Sequence, residues 1–167
     1  MKSVCTLALA AVLVSGCAHR APPPSFVPVT EASEAEYLPY SAAGTNVLTG
    51  QAFLTQKGGG VVKAAGRTVT LDPATETTGK NWWWQAGRKW ATRTVQPNSP
   101  TARSLRRTAV ADADGKFTFE GLPAGAYYVR TEITWEVPYH GIQGGLVGKL
   151  VNVGPEERGT VVINSAP

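Results

Sequence analysis

Between Ala126 and Val137 the side chains alternate in character, and no other feature limits the fold as much. Tyr127, Val129, Thr131, Ile133 and Trp135 fall on one face, and Tyr128, Arg130, Glu132, Thr134 and Glu136 fall on the other. A period of two predicts a strand with one face in a core and the other in water. Shorter segments with turn residues between them surround it. Asn46 to Thr55 reads as a first strand ended by Gly58-Gly59-Gly60, and Arg67 to Leu71 as another closed by Asp72-Pro73. Arg106 to Ala111 and Lys116 to Glu120 are joined by Asp112-Ala113-Asp114-Gly115; Leu146 to Val153 and Thr160 to Asn164 are separated by Gly154-Pro155-Glu156-Glu157. About seven such strands predict an all-β, antiparallel sandwich. Thr30 to Glu36, a cap residue followed by acidic first-turn residues, predicts one short helix before it. Residues 74 to 103 carry no strand pattern and read as a long irregular excursion, with a helical turn around Trp82 to Trp90.

The stretch Asp112-Ala113-Asp114-Gly115-Lys116-Phe117-Thr118-Phe119-Glu120-Gly121-Leu122-Pro123-Ala124-Gly125-Ala126-Tyr127 resembles the signature of carboxypeptidase regulatory-like domains. In those domains a D-x-x-G-x-F-x-F hairpin is followed by L-P-x-G-x-Y. The resemblance spans residues 45 to 164 and implies a transthyretin-like (prealbumin-like) Greek-key sandwich, with residues 45–167 as the domain. The local chemistry agrees: Gly115 permits a positive φ in the turn, Pro123 and Gly125 shape the corner, and Tyr127 packs inward. Such a module is widely used as a non-catalytic appendage, so the resemblance speaks to fold more than to activity.

The first residues carry an address. Met1-Lys2-Ser3, an apolar run from Val4 to Val14 and Ser15-Gly16-Cys17 describe a signal peptide over 1–16. The apolar run is shorter than the roughly 20 residues that span a bilayer. Val14-Ser15-Gly16-Cys17 resembles the lipobox of bacterial lipoproteins, which implies that Cys17 takes a diacylglycerol thioether and, after cleavage, an acyl chain on its amino group. Ala18 in the next position, in place of Asp, implies sorting to the outer membrane; the sequence leaves open which face. Residues 17–44 would then hold the lipidated N-terminus, a Pro-rich tether (AHRAPPPSFVP) that contains His19, and the short helix. With Cys5 leaving in the signal and Cys17 blocked, the exported domain would be stable without a disulfide.

Charge narrows the partners. The net charge is +4, and the cations Lys80, Arg88, Lys89, Arg93, Arg103, Arg106 and Arg107 share a stretch with no acid between Glu76 and Asp112. For an exported lipoprotein this argues against nucleic acid and for anionic headgroups, peptidoglycan or an acidic protein surface. The same stretch holds Trp82-Trp83-Trp84 and Trp90. Three consecutive residues at helical steps cannot all face one core, whereas Trp83 and Trp90 share a face. Trp82, Trp83, Trp84, Arg88, Lys89, Trp90 and Arg93 are therefore the candidate contact residues, suited to a sugar face, a bilayer interface or a protein. Capping of an open end of the sandwich would use the same rings.

Catalytic sets are harder to assemble. Asp112-x-Asp114-Gly115 is short of oxygen ligands for calcium and reads as a turn. Transthyretin-like hydroxyisourate hydrolases use several histidines and end in Tyr-Arg-Gly-Ser, whereas this domain has His140 alone and ends Val161 to Pro167. The two Tyr and two His of intradiol dioxygenases cannot be met either. A Lys–Asn isopeptide bond between Lys63 and Asn164 lacks a buried carboxyl, because Glu132 falls on the polar face. The expectation is a non-enzymatic outer-membrane lipoprotein, without metal or cofactor, presenting its sandwich to an envelope protein or membrane surface. A carbohydrate- or peptidoglycan-binding module is the alternative, and a hydrolase stands third.

Overall fold

Eight strands form in the computed structural model, which describes residues 32–78, 99–155 and 158–165. They are β1 (Asn46–Thr55), β2 (Val61–Lys63), β3 (Thr68–Pro73), β4 (Arg107–Val110), β5 (Lys116–Leu122), β6 (Gly125–Val137), β7 (Gly141–Val153) and β8 (Arg158–Ile163). One sheet has β1 at its centre, paired with β5, β2 and β8. The second runs β4-β3-β6-β7. Apolar side chains alternate inward from both: Leu48 and Ala52 of β1, Phe117 and Phe119 of β5, Val161 and Ile163 of β8 meet Val69 and Leu71 of β3, Tyr127, Val129 and Ile133 of β6 and Val147 of β7. This is an all-β sandwich with one continuous core, as the alternation predicted.

Three differences from the sequence-based expectation have physical causes. The β1–β8 pair is parallel, running from Val47 opposite Arg158 to Ala52 opposite Ile163; β8 follows β7 of the opposite sheet and crosses over to lie along β1. Asp72-Pro73 does not close β3, because both residues are laddered to β6, opposite Tyr128 and Tyr127. β2 is a three-residue strand inside what reads as a glycine loop, too short to show a period.

The turn residues behave as their chemistry requires. Asp112 Oδ1 accepts the backbone N–H groups of Asp114 and Lys116, each at 2.8 Å. Gly115 sits at φ +75°, and a Cβ there would lie 2.5 Å from the Ala52 carbonyl oxygen. Lys63 pairs with Asp114 at 2.7 Å on the surface, which takes it out of any cross-link to Asn164. At the corner, Tyr127 donates its hydroxyl to the Pro123 carbonyl at 2.8 Å, and burial pushes its pKa up to about 12.

Helices attach to this frame. Helix α1 (Glu34–Ser41) begins at Ser33, later than Thr30, because Glu36 at the third helical position reaches back to the Ser33 N–H at 3.1 Å. Its Tyr40 packs edge-on against Tyr127, with centroids 5.3 Å apart, and donates to the Ala74 carbonyl. Helix α2 (Pro100–Leu105) lies in the stretch read as irregular. Ser99 caps it by accepting the Ala102 N–H, and Pro100 occupies the first turn, where its missing N–H costs nothing. Ala32, Tyr37, Ala102 and Leu105 form a second, small apolar cluster between the helices.

Candidate functional site

The outer face of the β4-β3-β6-β7 sheet carries the polar side chains of the long alternating strand. Register places Thr70 opposite Arg130 and Asp72 opposite Tyr128 on one side of β6. On the other side Gly148 lies opposite Arg130, and Leu146 opposite Glu132. Sequence alternation alone predicts that this whole face is wet. The structure corrects that for Tyr128 and Arg130, which are buried.

Charge explains the burial of Arg130. Asp72 accepts a bidentate fork from Arg106, with Nε at 2.6 Å on Oδ1 and an Nη at 3.1 Å on Oδ2. Arg130 adds an Nη at 3.3 Å to Oδ2. The side chains of Asp72, Arg130 and Arg106 are only 8%, 7% and 16% exposed. Burial pushes the Arg130 guanidinium below its ordinary pKa, Asp72 opposes that, and Arg106 adds to it. Helix α2 packs on α1 and on β3. Asp72 and Arg106 stand at the two bases of the 74–103 excursion, and the cluster ties both to β6.

Beyond the cluster the face opens into a groove of about 320 Å³ lined by Arg67, Thr68, Thr70, Arg130, Thr131, Glu132 and Leu146. Arg67 is held over it by an Nη that donates to the carbonyl and hydroxyl oxygens of Thr134, both at 3.3 Å. Thr131 donates to the Thr68 carbonyl at 2.8 Å, which stitches β6 to β3 at the groove wall. Gly148 keeps the floor low: a Cβ there would lie 3.1 Å from Cβ of Arg130. The lining supplies guanidinium donors, a carboxylate acceptor, threonine hydroxyls that can donate or accept, and one small apolar side. That set suits a neutral, hydroxyl-rich ligand better than an apolar one. Among the described residues no cluster of three or more His, Cys, Asp and Glu is placed to hold a metal ion. His140, the lone histidine of the domain, is an exposed turn residue.

The groove residues were not the ones singled out by sequence. Trp82, Trp83, Trp84, Arg88, Lys89, Trp90 and Arg93 lie outside the described residues, as does Cys17. What could have pointed to the groove is the combination of Arg130 and Glu132 on one strand face with Asp72 inside an otherwise β-patterned segment. An acid in a strand next to proline is costly unless something pairs it.

No protein-family model matches the chain, and no curated protein does. Solved structures do. The crystal structure of a proposed carbohydrate binding protein from Pseudomonas aeruginosa is 31% identical, with 83% of this chain and 100% of that chain covered at a TM-score of 0.70. The pilus backbone protein of Streptococcus pneumoniae is 14% identical over 71% of this chain and 41% of that one, at a TM-score of 0.28.

Proposed function

Because the chain belongs to the same family as that Pseudomonas aeruginosa protein, we propose that it is a non-enzymatic carbohydrate-binding lipoprotein whose saccharide site is the β3–β6 groove. The groove carries the reading. Sugar hydroxyls both donate and accept, so a wall offering Arg67, Glu132 and threonine hydroxyls can satisfy adjacent hydroxyls at once, while Leu146 takes the apolar ring side. A single hexose, at ~0.3 kcal/mol for each of about twelve heavy atoms, would gain about 4 kcal/mol, which is millimolar binding. The Val14-Ser15-Gly16-Cys17 motif supports attachment through lipid on Cys17, and Ala18 supports the outer membrane as the address. A carboxypeptidase regulatory-like ancestry fits the Asp112–Tyr127 hairpin and corner.

The full chain on a glycan array, followed by calorimetric titration, tests the site. Glu132→Ala and Arg67→Ala should each weaken the best saccharide about tenfold without moving Tm, whereas Trp83→Ala and Trp90→Ala should leave it unchanged. A blank array would overturn the reading. Loss only in the tryptophan variants would move the site to the excursion. Anchoring is tested separately: Cys17→Ser should shift the protein from the membrane fraction to the soluble one.

A second reading rests on the basic, Trp-rich stretch from Lys80 to Arg107, which suits an anionic envelope surface or protein. It predicts salt-sensitive binding to vesicles containing phosphatidylglycerol that survives Glu132→Ala.

A further inference from the structure

The groove does not end at Glu132. From Thr131 outward, among the described residues, β6 is laddered to β7 alone, since its β3 register stops at Thr70 opposite Arg130. Along this extension the outer face of β6 presents Glu132, Thr134 and Glu136. Facing them on β7 are Leu146, Gly144 and Ile142. Gly144 and Gly145 carry no side chains, so a track of bare β7 backbone continues beside Thr134, with the Trp135 ring close against Gly144. Its far end is Ile142, 77% exposed. The run from Glu132 to Glu136 covers about 13 Å at ~3.3 Å per residue, the length of about two to three linked pyranose rings.

The hairpin tip at the end of this track is built against its own convenience. His140 N–H donates to the Val137 carbonyl at 3.0 Å, closing the four-residue turn Val137–Pro138–Tyr139–His140. Tyr139 holds the third position at φ +65° and is the single described residue other than glycine with positive φ. Glycine or asparagine ordinarily takes that position in a turn with proline before it. Tyr139 is also fully exposed, at 104% of its reference area. A strained backbone that holds an aromatic ring entirely in water gains nothing for the fold. A ring so placed is suited to stack on the apolar face of a sugar.

We infer that the site takes a linear oligosaccharide, one unit in the groove beside Arg67 and Glu132 and later units along the β6–β7 track, with Tyr139 as the terminal stacking platform. The inference rests on the saccharide reading of the groove and deepens it from a sugar to a chain.

Chain length is the discriminating variable. The full chain is titrated with dimers and hexamers of β-1,4-linked N-acetylglucosamine and of β-1,4-linked glucose, alongside the array. In the native protein the hexamer of the bound series should bind about tenfold tighter than its dimer. Tyr139→Gly should bring that ratio close to one, leave the dimer unchanged and leave Tm unchanged or higher, whereas Tyr139→Phe should keep the ratio. Glu132→Ala should weaken dimer and hexamer alike. A hexamer-to-dimer ratio near one in the native protein, or a ratio that Tyr139→Gly does not alter, overturns the extended track while leaving the groove reading in place. Absence of binding by either series and by the array removes the groove reading, and this inference with it.

Discussion

The two halves of the β6–β7 hairpin share one alternating pattern and have opposite surroundings. At the Gly125 end, the outward residues Tyr128 and Arg130 are buried and laddered to β3, on which α2 packs. At the Tyr139 end, Glu132 and Glu136 stand in the open, Ile142 is bare, and Gly144 and Gly145 of β7 bring no side chains of their own. The first half spends charge on order: one carboxylate holds two guanidiniums and, through them, both bases of the excursion. The second half spends conformational strain on exposure. A strand can therefore carry a buried, ion-paired segment and an open one on one face, divided where the neighbouring strand ends.

The sharpest way to break that contrast is to remove the acid. Asp72→Ala leaves two guanidiniums, both less than a fifth exposed, without their counter-charge. Loss of one partner from a buried set of this kind costs about 3–5 kcal/mol, to be read as a fall in the urea midpoint. Glu136→Ala on the open half, an exposed residue with no comparable partner role, should stay within ~0.5 kcal/mol. Equal effects from the two substitutions would erase the distinction between the halves.

That pair of variants also shows how far the sequence could be read. Alternation located β6 and most of the other strands to within a residue or two, because inward side chains are decided by the sheet's own period. It could not say what lies over the outer face. Tyr128 and Arg130 have the pattern of solvated residues and are buried, so their burial is set by tertiary packing that alternation does not encode. Ser99-Pro100 is a helix start, but it sits inside a stretch whose lack of strand pattern reads as irregular. The groove itself was illegible for a related reason. Arg67, Thr70 and Glu132 come from two strands about sixty residues apart, and only the β3–β6 register brings them together. The tryptophan segment was the louder signal, and it lies outside the described residues.

Smaller changes sharpen the comparison from each side. Tyr40→Phe removes the hydroxyl donated to the Ala74 carbonyl at the Gly125 end. A hydrogen bond of that kind is worth about 1 kcal/mol net, so a modest loss in the urea midpoint is expected with an unchanged slope. At the open end Tyr139→Gly should move stability the other way. Relief of a left-handed backbone at a residue with a Cβ returns about 1–2 kcal/mol. The added freedom of glycine in the unfolded chain takes back roughly 0.5–1 kcal/mol. A net gain of a few tenths of a kcal/mol is expected by the same unfolding measurement. A loss of stability would mean that the tyrosine ring packs on the fold in solution and is not held out for a ligand.

The smallest effect concerns acid and belongs to the Gly125 end. Glu36 accepts the Thr77 N–H at 3.0 Å and the Thr77 hydroxyl at 2.9 Å, besides the Ser33 N–H, and so ties α1 to the start of the excursion. The Thr77 backbone bond is the main reason its pKa falls from 4.5 to about 2. A carboxyl whose folded pKa is depressed stabilises the fold fully above its unfolded value. That contribution is lost as pH falls from about 4.5 through about 2. Asp114 is lowered as well, chiefly by Lys63, and contributes a parallel loss in the same direction. Unfolding midpoints measured between pH 6 and pH 2 should therefore fall less steeply for Glu36→Gln than for the native chain. Asp114→Asn should account for a separate share of the slope. Because Glu36 lies at the surface, the difference will be slight and will shrink with added salt. A Glu36→Gln curve that superimposes on the native one would show that the contact with Thr77 does not hold α1 to the excursion.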